Sequence, residues 1–176
     1  GWALYPPLMT GVILPSIEMT EIQYPTRILK HEYVSDATGA GRWRGAPGLE
    51  TITQHLVPNQ TSVMMEGVRH TAKGMVGGEH GASNRVYLAT PDGVETEIPE
   101  YAFMHPLEAG GAIRTIRGGG GGWGEAMERP PEAVREDVID GYVTRDGAFA
   151  DYGVVIGEDF AIDDAATRAA RAERLS

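Results

Sequence analysis

The chain has no cysteine. That excludes disulfides, thiolate zinc sites and a cysteine nucleophile together, and it suits a reducing, cytoplasmic setting. Positive charge is scarce: 15 Lys and Arg stand against 25 Asp and Glu, a formal net charge of -10. A surface of that sign repels nucleic-acid phosphates and anionic lipid headgroups, so neither nucleic acid nor a membrane is an expected partner. Long apolar runs are also missing. The least charged stretch, residues 1–15 (GWALYPPLMTGVILP), has no basic start and is interrupted by Pro6, Pro7 and Pro15. It falls short of the ~20 apolar residues of a spanning helix and reads as neither signal peptide nor membrane span. It reads instead as the main part of an extended arm over residues 1–25, buried either as a first core strand or against a partner chain.

Familiar catalytic and metal patterns are absent too. His31, His55, His70, His80 and His105 show no metal-ligand spacing, and no serine triad pattern or P-loop Lys-Ser/Thr pair occurs, so no metal site and no complete catalytic set is expected.

Glycine is what the chain has in excess. Its 24 Gly and 11 Pro make up about a fifth of the residues, where average usage gives about 12%, which favours many turns and few long helices. The length of 176 residues suits one domain with a real core. Short β-like runs separated by turns span Thr26 to Val34, Leu49 to Val57, Ser62 to Arg69, Arg85 to Thr90, Val94 to Ile98 and Ala112 to Arg117. Pro91-Asp92-Gly93 supplies a hairpin turn between the fourth and fifth. Beyond the glycine run the pattern becomes helical. One helix opens at Pro130-Pro131 and stops before Gly141, a second is capped by Thr144 and runs through Asp151, and a last one is capped by Asp163 or Asp164. The predicted class is α+β: a mainly antiparallel module over about 26–117 and a helical C-terminal lobe, with 26–125 the β-rich part and 126–176 the helix-rich part.

Three constellations stand out. Gly118 to Gly124 (GGGGGWG) lies between a predicted strand and a predicted helix. Its formal G-x-G-x-x-G match carries almost no information, and Glu125 follows where a phosphate would want positive charge. Its physical content is close backbone approach, either in tight packing, the favoured reading, or in a cavity wall that includes Gly120, Gly121 and Trp123. The loop Asp36 to Gly45 (DATGAGRWRG) offers Arg42 and Arg44 for an anion. The favoured alternative is an internal pair of Asp36 with an arginine, plus cation–π packing on Trp43. Glu79 and His80 lie in the flexible Gly77 to Gly81 (GGEHG), where an acid/base pair is one reading and side chains pointing apart the other.

These stretches, taken in order with Ser16-Ile17-Glu18, Tyr24-Pro25, residues 128–138 (ERPPEAVREDV), Gly141 to Thr144 and Tyr152 to Val155, resemble the C-terminal part of the hydantoinase B/oxoprolinase family. Where the family usually reads D-S-G-G-A-G and R-G-G-x-G, this chain has Asp36-Ala37-Thr38-Gly39 and Gly45-Ala46-Pro47-Gly48, which leaves loop geometry or ligand contact open there. Family subunits are several times longer. The resemblance therefore implies a separate small subunit, with the family's metal-binding portion supplied by another chain. It further implies larger hydantoinase A-like and hydantoinase B-like partners in a hetero-oligomer, with ATP and a divalent metal bound in those partners and no cofactor on this chain. The implied activity is a multi-subunit ATP-dependent ketone carboxylase of the acetophenone carboxylase kind. Its phosphorylated intermediates need a water-excluding cavity, and this chain would help to form or close it without being catalytic alone. Asp36, Arg42, Arg44, Glu79, His80, Gly120, Gly121 and Trp123 are the candidate cavity or interface residues. The alternatives are a subunit of an ATP-dependent cyclic-amide hydrolase of the hydantoinase or oxoprolinase type, or a purely structural subunit.

Overall fold

A computed structural model describes residues 16–175. The first element is a helix, α1 (Ile17–Gln23), started by Ser16, whose hydroxyl accepts from the Met19 N–H, and closed before Pro25. The expected extended arm is corrected here: between Pro15 and Pro25 there is room for two helical turns and a capping residue to begin them. The remainder of that arm, residues 1–15, lies outside the described residues.

Seven strands follow: β1 (Thr26–Val34), β2 (Gly48–His55), β3 (Asn59–Met64), β4 (Arg85–Ala89), β5 (Glu95–Glu97), β6 (Tyr101–Leu107) and β7 (Ala112–Arg117). Five of them form an antiparallel sheet in the order β1-β2-β7-β4-β5, and β3 pairs with β6 as a separate ribbon. The β4–β5 hairpin turns where Pro91-Asp92-Gly93 predicts it. The Thr90 N–H donates to the Val94 carbonyl at 3.0 Å, and Gly93 takes φ +89°. The ribbon lies on the sheet through Val63 and Ala102, which meet Val86 with Ile98 and Ile113 beside them.

β6 has no counterpart among the predicted strands, because Pro106 demotes such a run. The two-stranded ribbon tolerates it. Pro106 stands opposite Gln60, the register shifts between Thr61 and Val63, and Met104 adopts φ +56°. The third predicted strand, Ser62 to Arg69, is corrected to Asn59–Met64, the length that pairs with β6.

A 3₁₀ turn (Ala126–Glu128) leads into α2 (Pro131–Ile139), α3 (Arg145–Tyr152) and α4 (Asp164–Leu175). Pro131 sits in the first turn of α2, the Thr144 hydroxyl accepts from the Gly147 N–H to cap α3, and Gly153 ends α3 at φ +62°. Asp163 caps α4, accepting from the Ala166 N–H at 2.9 Å. Val134, Val138, Val143, Ala148, Tyr152, Val154 and Ile156 form the core of this lobe, and Ala40 from the Asp36 to Gly45 loop enters it. The fold is the predicted α+β arrangement, antiparallel strands followed by C-terminal helices. No helix among the described residues is long and apolar enough to cross a membrane.

Candidate functional site

Three irregular loops fill the space between sheet and helices: residues 36–47, 71–82 and 118–125. Buried backbone must find partners, and these loops find them in one another. The Gly39 N–H donates to the Gly120 carbonyl at 2.8 Å, Glu79 to Ala40 at 2.7 Å, Gly122 to Glu79 at 2.9 Å, and Met75 to Gly122 at 2.9 Å. Such crossings need bare backbone. A Cβ on Gly45 would collide with the Gly120 carbonyl, and one on Gly122 with the Ala40 carbonyl. The glycine run thus serves tight packing, the reading favoured from sequence.

The knot opens on one side into a pocket of about 520 Å³, whose polar lining comes from Asp36, Glu79, His80, Glu125 and Asp151, with Met127 among its apolar walls. His80 Nδ1 accepts the Gly74 N–H at 3.2 Å, which leaves Nε2 as the donor of the neutral ring. Asp151 stands at the exposed mouth. Partial desolvation by the pocket walls, then the charges of Asp36 and Glu79, raise its pKa above the usual aspartate value, while Arg174 opposes them. A carboxyl shifted in that direction and an imidazole lining the same pocket are both groups that can exchange a proton.

The expected Asp36–arginine pair does not form. Asp36 takes φ +57° and turns its carboxylate to the helical lobe. There Oδ1 accepts from the Thr144 N–H at 2.8 Å and Oδ2 from the Thr144 hydroxyl at 2.6 Å. The guanidiniums face other carboxylates, Arg44 at Asp137 and Arg42 at Glu128, and Asp36 is left to accept from the start of α3. Arg42 remains exposed, 3.6 Å from Glu128. Arg44 is buried: Nε donates to Asp137 Oδ1 at 2.7 Å, and the guanidinium stacks 4.5 Å from the Tyr142 ring centre, not on Trp43. Asp137 Oδ2 accepts from Arg129 Nη2 at 2.6 Å, and the Arg129 carbonyl accepts from Arg171 at 2.8 Å. Arg44 is thus committed to Asp137 at the joint between loop and helices.

Of the sequence candidates, Asp36, Glu79 and His80 meet at the main pocket. Gly120 lines a smaller one of about 300 Å³ with Gly118 and Gly119. Arg42, Arg44, Gly121 and Trp123 line neither. Sequence reasoning did not single out Asp151, which comes from the far end of α3, or the Arg129–Asp137 pair. Arg129 and Asp137 both lie in the 128–138 stretch, but a family-like stretch does not say which of its charges is buried.

A family model described as hydantoinase B/oxoprolinase matches residues 1–126. The caprolactamase subunit beta of Pseudomonas jessenii is 32% identical over 98% of this chain and 31% of its own length. The solved ATP-dependent caprolactamase from Pseudomonas jessenii matches with a TM-score of 0.76 and 29% identity, covering 89% of this chain and 28% of that one. A nucleotide-free structure of acetone carboxylase, from work on ATP-dependent acetone carboxylation, also gives a TM-score of 0.76. It is 23% identical, covers 92% of this chain and 26% of that one, and shows the shared fold. The chain thus spans about a quarter to a third of the proteins it matches.

Proposed function

Because the chain belongs to the hydantoinase B/oxoprolinase family, we propose that it works as a non-autonomous module of a heteromeric ATP-dependent enzyme, closing the cavity in which a carbonyl carbon is activated. The observation that carries this reading is convergence. Loops 36–47, 71–82 and 118–125, which hold the family-like motifs, knit together by backbone hydrogen bonds and form the wall of one pocket. Interlocked backbone behind that lining suits a cavity that, once closed by the rest of an assembly, must keep water from a phosphorylated intermediate.

The lining suits proton handling. His80 Nε2 and the Asp151 carboxyl can supply or receive a proton at a carbonyl oxygen or a departing nitrogen. Triphosphate binding does not suit it. Asp36, Glu79, Glu125 and Asp151 give the pocket one sign of charge, and among the described residues no three metal-ligating side chains converge. We assign ATP and a divalent cation to the larger hydantoinase A-like and hydantoinase B-like partners.

Two chemistries fit such a cavity. The match to a caprolactamase subunit, 32% identical over 98% of this chain, favours an ATP-dependent cyclic-amide hydrolase. A ketone carboxylase of the acetophenone carboxylase kind is the second reading, supported by the fold shared with acetone carboxylase. The assembly purified through a tag on this chain is assayed for ATP turnover with caprolactam or hydantoin, and with acetophenone plus labelled bicarbonate. Ring opening without label incorporation supports the first; label incorporation without ring opening overturns it. His80→Ala in that assembly is expected to lower kcat about 10²-fold or more, the usual scale of a lost general acid. Unchanged kcat would make the module a scaffold.

A further inference from the structure

The main pocket is lined by the four carboxylates of Asp36, Glu79, Glu125 and Asp151, and by no lysine or arginine. Separate segments bring them together. Gly77, at φ +88°, has no side chain, and a Cβ there would collide with Glu125 Oε1, so bare backbone seats that carboxylate on the loop that carries Glu79. Asp36 belongs to the first loop and Asp151 to α3, and the charges of Asp36 and Glu79 both reach Asp151, where they add to partial desolvation in raising its pKa. The cations nearby are engaged elsewhere. Arg42 faces Glu128 and Arg44 faces Asp137. Arg174, which opposes the field at Asp151, donates to the Ala150 carbonyl at 2.6 Å and lies over the Phe149 ring. Lys73, in the same loop as Glu79, is not among the lining residues. Asp36 is held by Thr144 donors that carry no charge. The pocket therefore presents unbalanced negative charge to whatever enters it.

We infer that this pocket receives the nitrogen end of a cyclic amide that bears no carboxylate beside that nitrogen, and that Glu79 and Glu125 turn carboxylate-bearing rings away. This rests on the amide-hydrolase reading above. On that reading activation places a phosphoryl group on the carbonyl oxygen. The lining repels such an anion, so the oxygen faces away from the carboxylates and the ring nitrogen faces towards them. Net of ATP hydrolysis, ring opening breaks the C–N bond, adds the oxygen of one water to the carbonyl carbon as a carboxylate and leaves both its protons on the nitrogen, which departs as an ammonium. The carboxylates stabilise that developing cation, and His80 Nε2 lies in the same lining as a proton donor. A carboxylate on the carbon next to the nitrogen would enter the same acidic pocket and meet like charge.

The test uses the assembly purified through a tag on this chain, supplied with ATP and either 2-pyrrolidinone or 5-oxoproline, the same ring with a carboxylate next to the nitrogen. kcat/KM is expected to be about tenfold or more higher for 2-pyrrolidinone, the scale of a like charge set a few ångströms from solvated carboxylates, and the ratio to shrink as salt is raised. Glu79→Gln with Glu125→Gln keeps the size of both side chains and is expected to bring the ratio to within about threefold, through a lower KM for 5-oxoproline, as the like charges go. In caprolactam opening, butylammonium is expected to inhibit more strongly than butyrate. Equal or better use of 5-oxoproline, a ratio that the double variant leaves unchanged, or the reverse order of inhibitors overturns the inference and leaves the amide-hydrolase reading standing. An assembly that opens none of the three rings overturns that reading and the inference with it.

Discussion

Arg44 and Asp137, 93 residues apart in sequence, meet in a buried ion pair, Nε to Oδ1 at 2.7 Å. Arg129 closes the other side of the carboxylate at 2.6 Å, so one acid bridges two guanidiniums and ties the pocket-forming loop to α2. Removing one member of such a group leaves uncompensated buried charge, at a cost of about 3–5 kcal/mol. Asp137→Ala is expected to lose stability on that scale in urea unfolding. A loss below about 1 kcal/mol, the level of an exposed pair, would show that the joint is held by other contacts.

The ion pair marks where sequence reading stopped. Strand β1 at Thr26–Val34, β7 at Ala112–Arg117 and the helix starts at Pro131 and Thr144 were legible, because alternation, prolines and capping residues act over a few positions. Burial of Arg44 was not, because its partner lies on a distant helix. From sequence the arginines of this loop read first as partners of Asp36 packed on Trp43 and second as anion ligands. Glu79 and His80 were visible as candidates through their chemistry, whereas Asp151 joins them only through the packing of α3.

Glycine substitutions separate close packing from turn geometry. Gly45→Ala puts a methyl group into the Gly120 backbone, with no flexible side chain available to yield. Overpacking of this sort costs about 1–3 kcal/mol and more when backbone must move. Gly93→Ala meets open space and loses only the ease of its φ of +89°, about 1 kcal/mol or somewhat more. Urea midpoints should therefore fall further for Gly45→Ala. The reverse order would mean that the loop knot relaxes readily.

Asp36 distinguishes a capping role from a ligand role. Both carboxylate oxygens are occupied by Thr144, and its φ of +57° is one that Asn tolerates as well as Asp. Asp36→Asn is expected to retain most stability, and Asp36→Ala to lose about 1–2 kcal/mol as the cap and the left-handed preference go together. If both variants melt like the parent while the assembly loses activity, Asp36 acts on substrate instead.

Tyr152 sets an alkaline limit on the fold. Its hydroxyl is buried without a hydrogen-bond partner, and burial pushes its pKa up to about 12, with Arg129 as the largest opposing influence. Unfolded, the same phenol ionises near 10. Below pH 10 it is neutral in both states and costs nothing. Between about pH 10 and 12 the unfolded chain releases the proton while the folded one keeps it, so stability falls as pH rises, by about 3 kcal/mol in all. Tyr152→Phe removes the titration together with an unsatisfied hydroxyl, and the ring still fills the core. Its urea midpoint is expected to equal or exceed that of the parent at pH 7 and to exceed it clearly at about pH 11.5. Exposed tyrosines ionise in both states and cancel in the difference, so a gap that fails to widen with pH would mean that the Tyr152 hydroxyl reaches solvent.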